Sequence, residues 1–123
     1  MRTITLLLLS FTCLTVSAQS YTYYQTGDTS DVSPITQPGT CLMGGATEHD
    51  NAMVWFLSRS GGGNILVIRA SGSDGYNDYM YSDLGVNVQS VETIVFNNAS
   101  AAQDPFVLER IAKAEAIWMA GGN

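Results

Sequence analysis

The chain has 123 residues, enough for one small domain. It carries 11 acidic and 5 basic side chains, a formal net charge of −6. That balance argues against nucleic acid or an anionic membrane as partner, because phosphate binding needs clustered Lys and Arg.

Residues 1–18 read as a secretory signal peptide. Arg2 supplies the positive start, Ile4 to Val16 is an almost unbroken apolar run, and Val16-Ser17-Ala18 is an A-x-A-like cleavage site before Gln19. The run is shorter than the ~20 residues that span a bilayer. The protein is therefore expected to be secreted or periplasmic, cleaved after Ala18, and not integral to the membrane. Cys13 leaves a lipoprotein as a minor alternative, although Ser10-Phe11-Thr12 lacks the residues that such processing prefers. Removing residues 1–18 takes away one of the five basic side chains and none of the eleven acidic ones, leaving a net charge near −7.

Cys41 is then the remaining cysteine. It cannot form an internal disulfide, and no CxxC or His/Cys spacing for zinc accompanies it. Inside an apolar run it reads as a small buried residue. No cofactor and no metal are expected.

Residues 19–39 are polar and rich in Thr, Ser, Asp and Pro, and read as an irregular arm. Tyr21-Thr22-Tyr23-Tyr24 could form a short strand, but nothing sustains it. The ordered part is expected over residues 40–123. Cys41-Leu42-Met43, ending in Gly44-Gly45, reads as a buried strand and tight turn. A helix follows, with Asp50 as N-cap and Met53, Phe56 and Leu57 on its apolar stripe beside Val54 and Trp55. Gly61-Gly62-Gly63 ends it.

Asn64 to Ala70 is the clearest strand, its Ile/Leu/Val run suiting a parallel strand covered on both faces. The turn Ser71-Gly72-Ser73-Asp74-Gly75 leads to a helix over Tyr76 to Leu84. A third strand is expected at Val91 to Phe96. Asp104 caps a further helix with Pro105 at its first position and Val107, Leu108 and Ile111 on its buried face. Ala116 to Met119 is the last strand, running into Gly121-Gly122.

The alternation predicts an α/β fold, a doubly wound, mostly parallel sheet with helices on both faces. Ligands bind such sheets outside the carboxyl ends of the strands, where the strand order reverses. If the fourth strand returns beside the first, Gly44-Gly45 and Gly121-Gly122 meet there with bare backbone N–H groups. Such turns suit a phosphate or an oxyanion, and glycine also occurs in them for turn geometry alone. No G-x-G-x-x-G or P-loop is present.

Ser71 and Ser73 lie at the carboxyl end of the second strand, outside any G-x-S-x-G elbow, and helix capping by Ser73 or Asp74 is the plainer role. Tyr76, Tyr79 and Tyr81 could form a stacking surface or simply be half-buried. His49, the sole histidine, reads as an exposed loop residue without a nucleophile beside it. Trp55 and Trp118 read as core.

Met43-Gly44-Gly45, Val67-Ile68-Arg69-Ala70-Ser71-Gly72 and Ala116-Ile117-Trp118-Met119-Ala120-Gly121-Gly122-Asn123 together resemble the N-terminal half of the cyanophycinase-like serine peptidases. That family has the flavodoxin-like, class I glutamine amidotransferase-like three-layer α/β fold. The resemblance covers Thr40 to Asn123, and the order and spacing of the motifs carry it. Tyr79 followed by Leu84-Gly85 also fits the family's helix leading into its next strand.

The resemblance implies a secreted hydrolase of peptide-like substrates, cleaving peptide or isopeptide bonds by acyl transfer. The family's serine nucleophile, histidine and carboxylate follow in later segments. The chain is therefore read as a fragment truncated after the fourth main strand and inactive alone, which leaves Ile117-Trp118-Met119 on an exposed edge that invites association. By the same resemblance the Gly122 amide helps form the oxyanion hole, Gly121 lines the pocket and Asn123 sits at its edge. Gly44, Gly45 and Ser71 are the remaining substrate-binding candidates. A homodimer of the full-length protein is left open. The alternative is a non-catalytic secreted binding or surface module that kept the fold.

Overall fold

The computed structural model describes residues 18–121. Most of the expected signal peptide, together with Gly122 and Asn123, lies outside the described residues. The elements are β1 (Tyr21–Gly27), α1 (Asp50–Ser58), β2 (Asn64–Arg69), a π-helical turn (Tyr79–Asp83), β3 (Ser90–Phe96), a 3-10 turn (Ala99–Gln103), α2 (Pro105–Lys113) and β4 (Ala116–Met119). The four strands form one open sheet in the order β1-β3-β2-β4. β3, β2 and β4 are parallel, whereas β1 is antiparallel to β3, so the sheet is mixed.

β2 behaves as its composition demands. Leu66 packs on one face with Ile94 of β3 and Val107 of α2. Ile65 and Val67 pack on the other with Met53 and Leu57 of α1, Met80 of the π turn and Val91. Burying each such side chain contributes roughly 1.5–3 kcal/mol before entropy is charged against it. α2 starts as its sequence dictates: Asp104 accepts from Phe106 N at 2.9 Å, and Pro105 occupies the first turn.

Several expectations are corrected. The start of the polar arm is a strand. β1 pairs with β3 from Tyr21↔Phe96 to Gly27↔Ser90. Two of its tyrosines also meet Phe106 of α2, Tyr21 stacked with ring centroids 5.7 Å apart and Tyr23 edge-on at 4.9 Å. Cys41-Leu42-Met43 forms no strand, because both neighbours of β2 are already β3 and β4. Four residues between Gly39 and Gly44 also bury too little to compete for an edge.

Asp50 is the first residue of α1, not its cap. His49 holds the cap position without a side-chain bond. The expected helix over Tyr76 to Leu84 is found over residues 77–83, opening as α-helix and continuing from Tyr79 as a π turn closed by Leu84 N to Tyr79 O at 3.2 Å. Asn77 is drawn inward at its start and accepts from the buried Thr93 hydroxyl at 2.7 Å. Leu108 is 49 % exposed, since α2 meets the sheet through Val107 and Ile111. Trp55 is 39 % exposed and lies under the Arg59 guanidinium at 4.1 Å instead of entering the core.

After α1 the chain reverses through Gly61 and Gly62, both at positive φ. A Cβ on Gly61 would come within 2.3 Å of the Ile35 carbonyl oxygen, so glycine is required there. Beneath α2 lies an ionic cluster. Glu92 of β3, 2 % exposed, is 3.0 Å from Arg110 Nε and accepts from the Tyr23 hydroxyl at 2.5 Å. The Nε contact is an ion pair without good hydrogen-bond alignment, and Arg110 also donates to the Thr29 carbonyl at 3.1 Å. Burial, then the bond to Glu92, push the Tyr23 phenol well above the ordinary tyrosine range.

Candidate functional site

The reversal of strand order falls between β2 and β4. The chain steps from β2 to β3 on one side and then returns to the other side as β4. This is the position where open α/β sheets receive ligands at their carboxyl ends. The turns that meet there follow β2 and β4, not the Cys41–Met43 segment.

Residues 39–46 nonetheless reach this place. They run as an irregular strap across the carboxyl end of β4 and enclose a cleft of about 570 Å³. Gly44, Gly45 and Gly121 all line it, as do Cys41, Glu48, Phe56, Tyr76 and Trp118. No heavy atom lies within 4 Å of where a Cβ would sit on Gly44, Gly45 or Gly121, and none of the three has a positive φ. Neither packing nor backbone conformation requires glycine there. What glycine does provide is main chain open to the cleft. Ala46, by contrast, sits at φ 91°, a conformation that costs a non-glycine residue of order 1–3 kcal/mol.

The wall opposite the strap is aromatic. Trp118 packs edge-on against Phe56, with centroids 5.4 Å apart and planes at 60°. Its indole Nε1 is buried without a hydrogen-bond partner. The Tyr76 hydroxyl donates to Glu48, and the Tyr79 hydroxyl donates to Asp50 Oδ1 at 2.8 Å. These two bonds tie the end of the strap and the start of α1 to the π turn. Burial and then the bond to Glu48 raise the Tyr76 pKa, while the Trp118 indole, short of a well-formed bond, and Arg69 pull the other way. Burial and then Asp50 raise that of Tyr79. Arg69 lies over the Tyr76 ring at 5.3 Å and donates to the Ser73 carbonyl at 2.8 Å, which braces the turn after β2.

The other expected residues fall as follows. Ser71 is exposed in the turn after β2 and does not line the cleft. Gly122 and Asn123 lie outside the described residues. His49 is exposed. Cys41 is half-buried and faces the cleft, so it is a wall residue and not a core one. Trp118 is half-buried and serves both core and wall.

Sequence reasoning missed Glu48 and Phe56 as wall residues, and offered Tyr76 only as one of three tyrosines that could form a stacking surface. Phe56 was legible only as part of a helical stripe, and no local spacing links Glu48 to Tyr76. Among the described residues, no cluster of three His, Cys, Asp or Glu could hold a metal ion, and no helix is long and apolar enough to cross a membrane.

A second hollow of about 320 Å³ continues the cleft toward the start of β4, sharing Gly39, Phe56 and Ile117 with it and adding Glu115 and Ala116. Set against known protein families, curated proteins and solved structures, the chain matches none of them.

Proposed function

We propose that the cleft is the substrate site of a secreted serine-type hydrolase of the cyanophycinase-like kind, cleaving a peptide or isopeptide bond by acyl transfer. One observation carries this reading. The cleft opens at the carboxyl end of β4, and Gly44, Gly45 and Gly121 present main chain there that the fold does not oblige to be glycine.

In this reading, main-chain N–H groups of the glycine wall, with Gly122, hold the oxyanion that develops when a nucleophile attacks a carbonyl. The aromatic wall of Trp118 and Phe56 takes the apolar part of the substrate and excludes water. The serine, its histidine base and the acid come from outside residues 18–121. His49 is exposed and is assigned no part in the chemistry.

The test is a serine-directed fluorophosphonate probe on the full-length protein, read beside hydrolysis of a peptide substrate. Labelling is expected, and Gly121→Val is expected to slow hydrolysis without lowering the thermal midpoint. Absence of labelling sinks the hydrolase reading. The aromatic wall of Trp118 and Phe56 favours a second reading, a secreted binding module of the same fold. Ligand binding without labelling would select it.

A further inference from the structure

We infer that a hollow at the amino ends of the parallel strands is a carbohydrate site, built to take one pyranose unit of a neutral, β-linked polysaccharide. It shares no residue with the cleft, and it does not depend on the hydrolase reading.

Three loops converge to form it. Gly27 and Asp28 leave β1, Gly61 and Gly62 lead into β2, and residues 87–89 lead into β3. With Tyr81 of the π turn they line a hollow of about 650 Å³ that is open to solvent. Main-chain bonds lock the loops together. Asp28 N donates to Gln89 O at 3.1 Å, and Gln89 N donates to Gly62 O at 2.9 Å. A site held in this way is preorganised, so little ordering is left to oppose binding.

Tyr81 is the platform. The three tyrosines that the sequence offered as a stacking surface part company in the fold. Tyr76 and Tyr79 commit their hydroxyls to Glu48 and Asp50, whereas Tyr81 lines this hollow and is 38 % exposed. Gly27 fixes the ring. A Cβ there would come within 2.6 Å of Tyr81 Cε2 and of the Gln89 carbonyl oxygen, at a φ of 88°, so glycine is what lets the ring rest on the end of β1. The π turn sets Tyr81 outward and Met80 inward, and such turns recur at functional sites.

The polar groups beside the ring select the ligand. Asp28, Asn87 and Gln89 offer acceptors and amide donors together, and a sugar hydroxyl both donates and accepts. Ser30 N donates to Asp28 Oδ1 at 2.9 Å, which fixes the carboxylate and holds its pKa below the usual range. Among the described residues, no Lys or Arg lines the hollow, and the chain carries −6, so phosphates and acidic sugars are disfavoured. One carboxylate is too few for a divalent cation. What fits is a neutral polyol with a flat apolar face. A β-linked glucose or N-acetylglucosamine unit has that shape, because its substituents are equatorial and its axial C–H bonds cover the ring faces. The negative face of an aromatic ring attracts such positive C–H groups.

The test uses the full chain with cellohexaose, with chitohexaose and with the β-linked hexamer of glucuronate. Affinity is read by titration calorimetry and the bound sugar face by saturation-transfer NMR. At least one neutral hexamer is expected to bind, with saturation concentrated on the axial protons of one ring face, and the tighter of the two identifies the polysaccharide. The glucuronate hexamer is expected not to bind. Tyr81→Ala is expected to lose about tenfold in affinity, while Tyr81→Phe, which keeps the ring, binds as before. Asp28→Asn keeps an acceptor for Ser30 N and is expected to weaken binding several-fold without moving the thermal midpoint. It decides the matter if Tyr81→Ala unfolds the protein. No binding of either neutral hexamer, equal binding of the glucuronate hexamer, or affinity that neither Tyr81→Ala nor Asp28→Asn lowers overturns the inference. The readout is binding alone, so the result holds whether or not the fluorophosphonate labels the protein.

Discussion

Glu92 and Arg110 meet beneath α2 as an ion pair with 3.0 Å between Oε2 and Nε, with little of either side chain in contact with solvent. The contact fastens α2 to β3, and through the Tyr23 hydroxyl it fastens β1 as well. Removing Arg110 alone leaves a buried carboxylate without its counter-charge. Arg110→Met is expected to destabilise the fold by about 3 kcal/mol or more. The double substitution Glu92→Leu with Arg110→Met is expected to recover most of that loss. Denaturant unfolding of the two single variants and the double variant measures the coupling directly.

The glycines divide into two kinds, and substitution separates them. Gly61→Ala forces a Cβ against the Ile35 carbonyl at a positive φ, and should cost upward of ~1 kcal/mol. Gly44→Ala and Gly121→Ala place a methyl group in open space and should change stability by no more than about 0.5 kcal/mol. Thermal midpoints of the three variants, measured side by side, check the contrast. A large loss at Gly44 would mean that the strap packs more tightly than its geometry shows.

Alkali should unfold the protein through its bound tyrosines. Tyr23, Tyr76 and Tyr79 all have pKa values raised above the ordinary tyrosine value by burial and by donation to a carboxylate. The folded state thus holds these protons more tightly than the unfolded one. Their contribution is complete below pH ~10, the ordinary tyrosine pKa, and is lost as pH rises from there through the folded values. Urea midpoints measured from about pH 8 to about pH 11, a range that brackets that value, should fall at the alkaline end. The fall should be shallower in Tyr23→Phe. Midpoints that stay level across the window would contradict the assignment.

Asn77 and Thr93 form a buried side-chain pair at 2.7 Å that anchors the start of the π turn to β3. Asn77→Ala strands the Thr93 hydroxyl and is expected to cost roughly 1–3 kcal/mol. Because the π turn carries Tyr79, and Tyr76 lies just ahead of Asn77, the same change should loosen the strap. Faster proteolysis within residues 39–48 at temperatures well below the midpoint would report it.

What the sequence discloses follows from where each element finds its stability. β2 and α2 are legible because the information is local: an Ile/Leu/Val run straight after three glycines and an asparagine, and an Asp-Pro start ahead of an apolar stripe. β1 is not, because a Tyr/Thr-rich segment becomes a strand only when β3 offers it an edge some seventy residues later. Cys41-Leu42-Met43 shows the converse, since a locally strand-like run lies across the cleft from β4 without pairing to it. The glycine pair and Gly121 were legible as bare main chain, and they line one cleft although the segment holding Gly44 and Gly45 is no strand. Glu48 and Tyr76 were not, being 28 positions apart in a contact that only the folded chain creates.

The reversed direction of β1 sets an address for whatever is joined ahead of residue 18. Tyr21 pairs with Phe96, and Asn97 N donates to Ser20 O at 2.9 Å, so the chain enters the fold at the carboxyl ends of the parallel strands. The cleft opens at that same end. A leader, tag or surface tether attached there emerges from the same end of the sheet as the cleft, but at the edge opposite β4. The opposite end of the sheet is then the side left facing free solution.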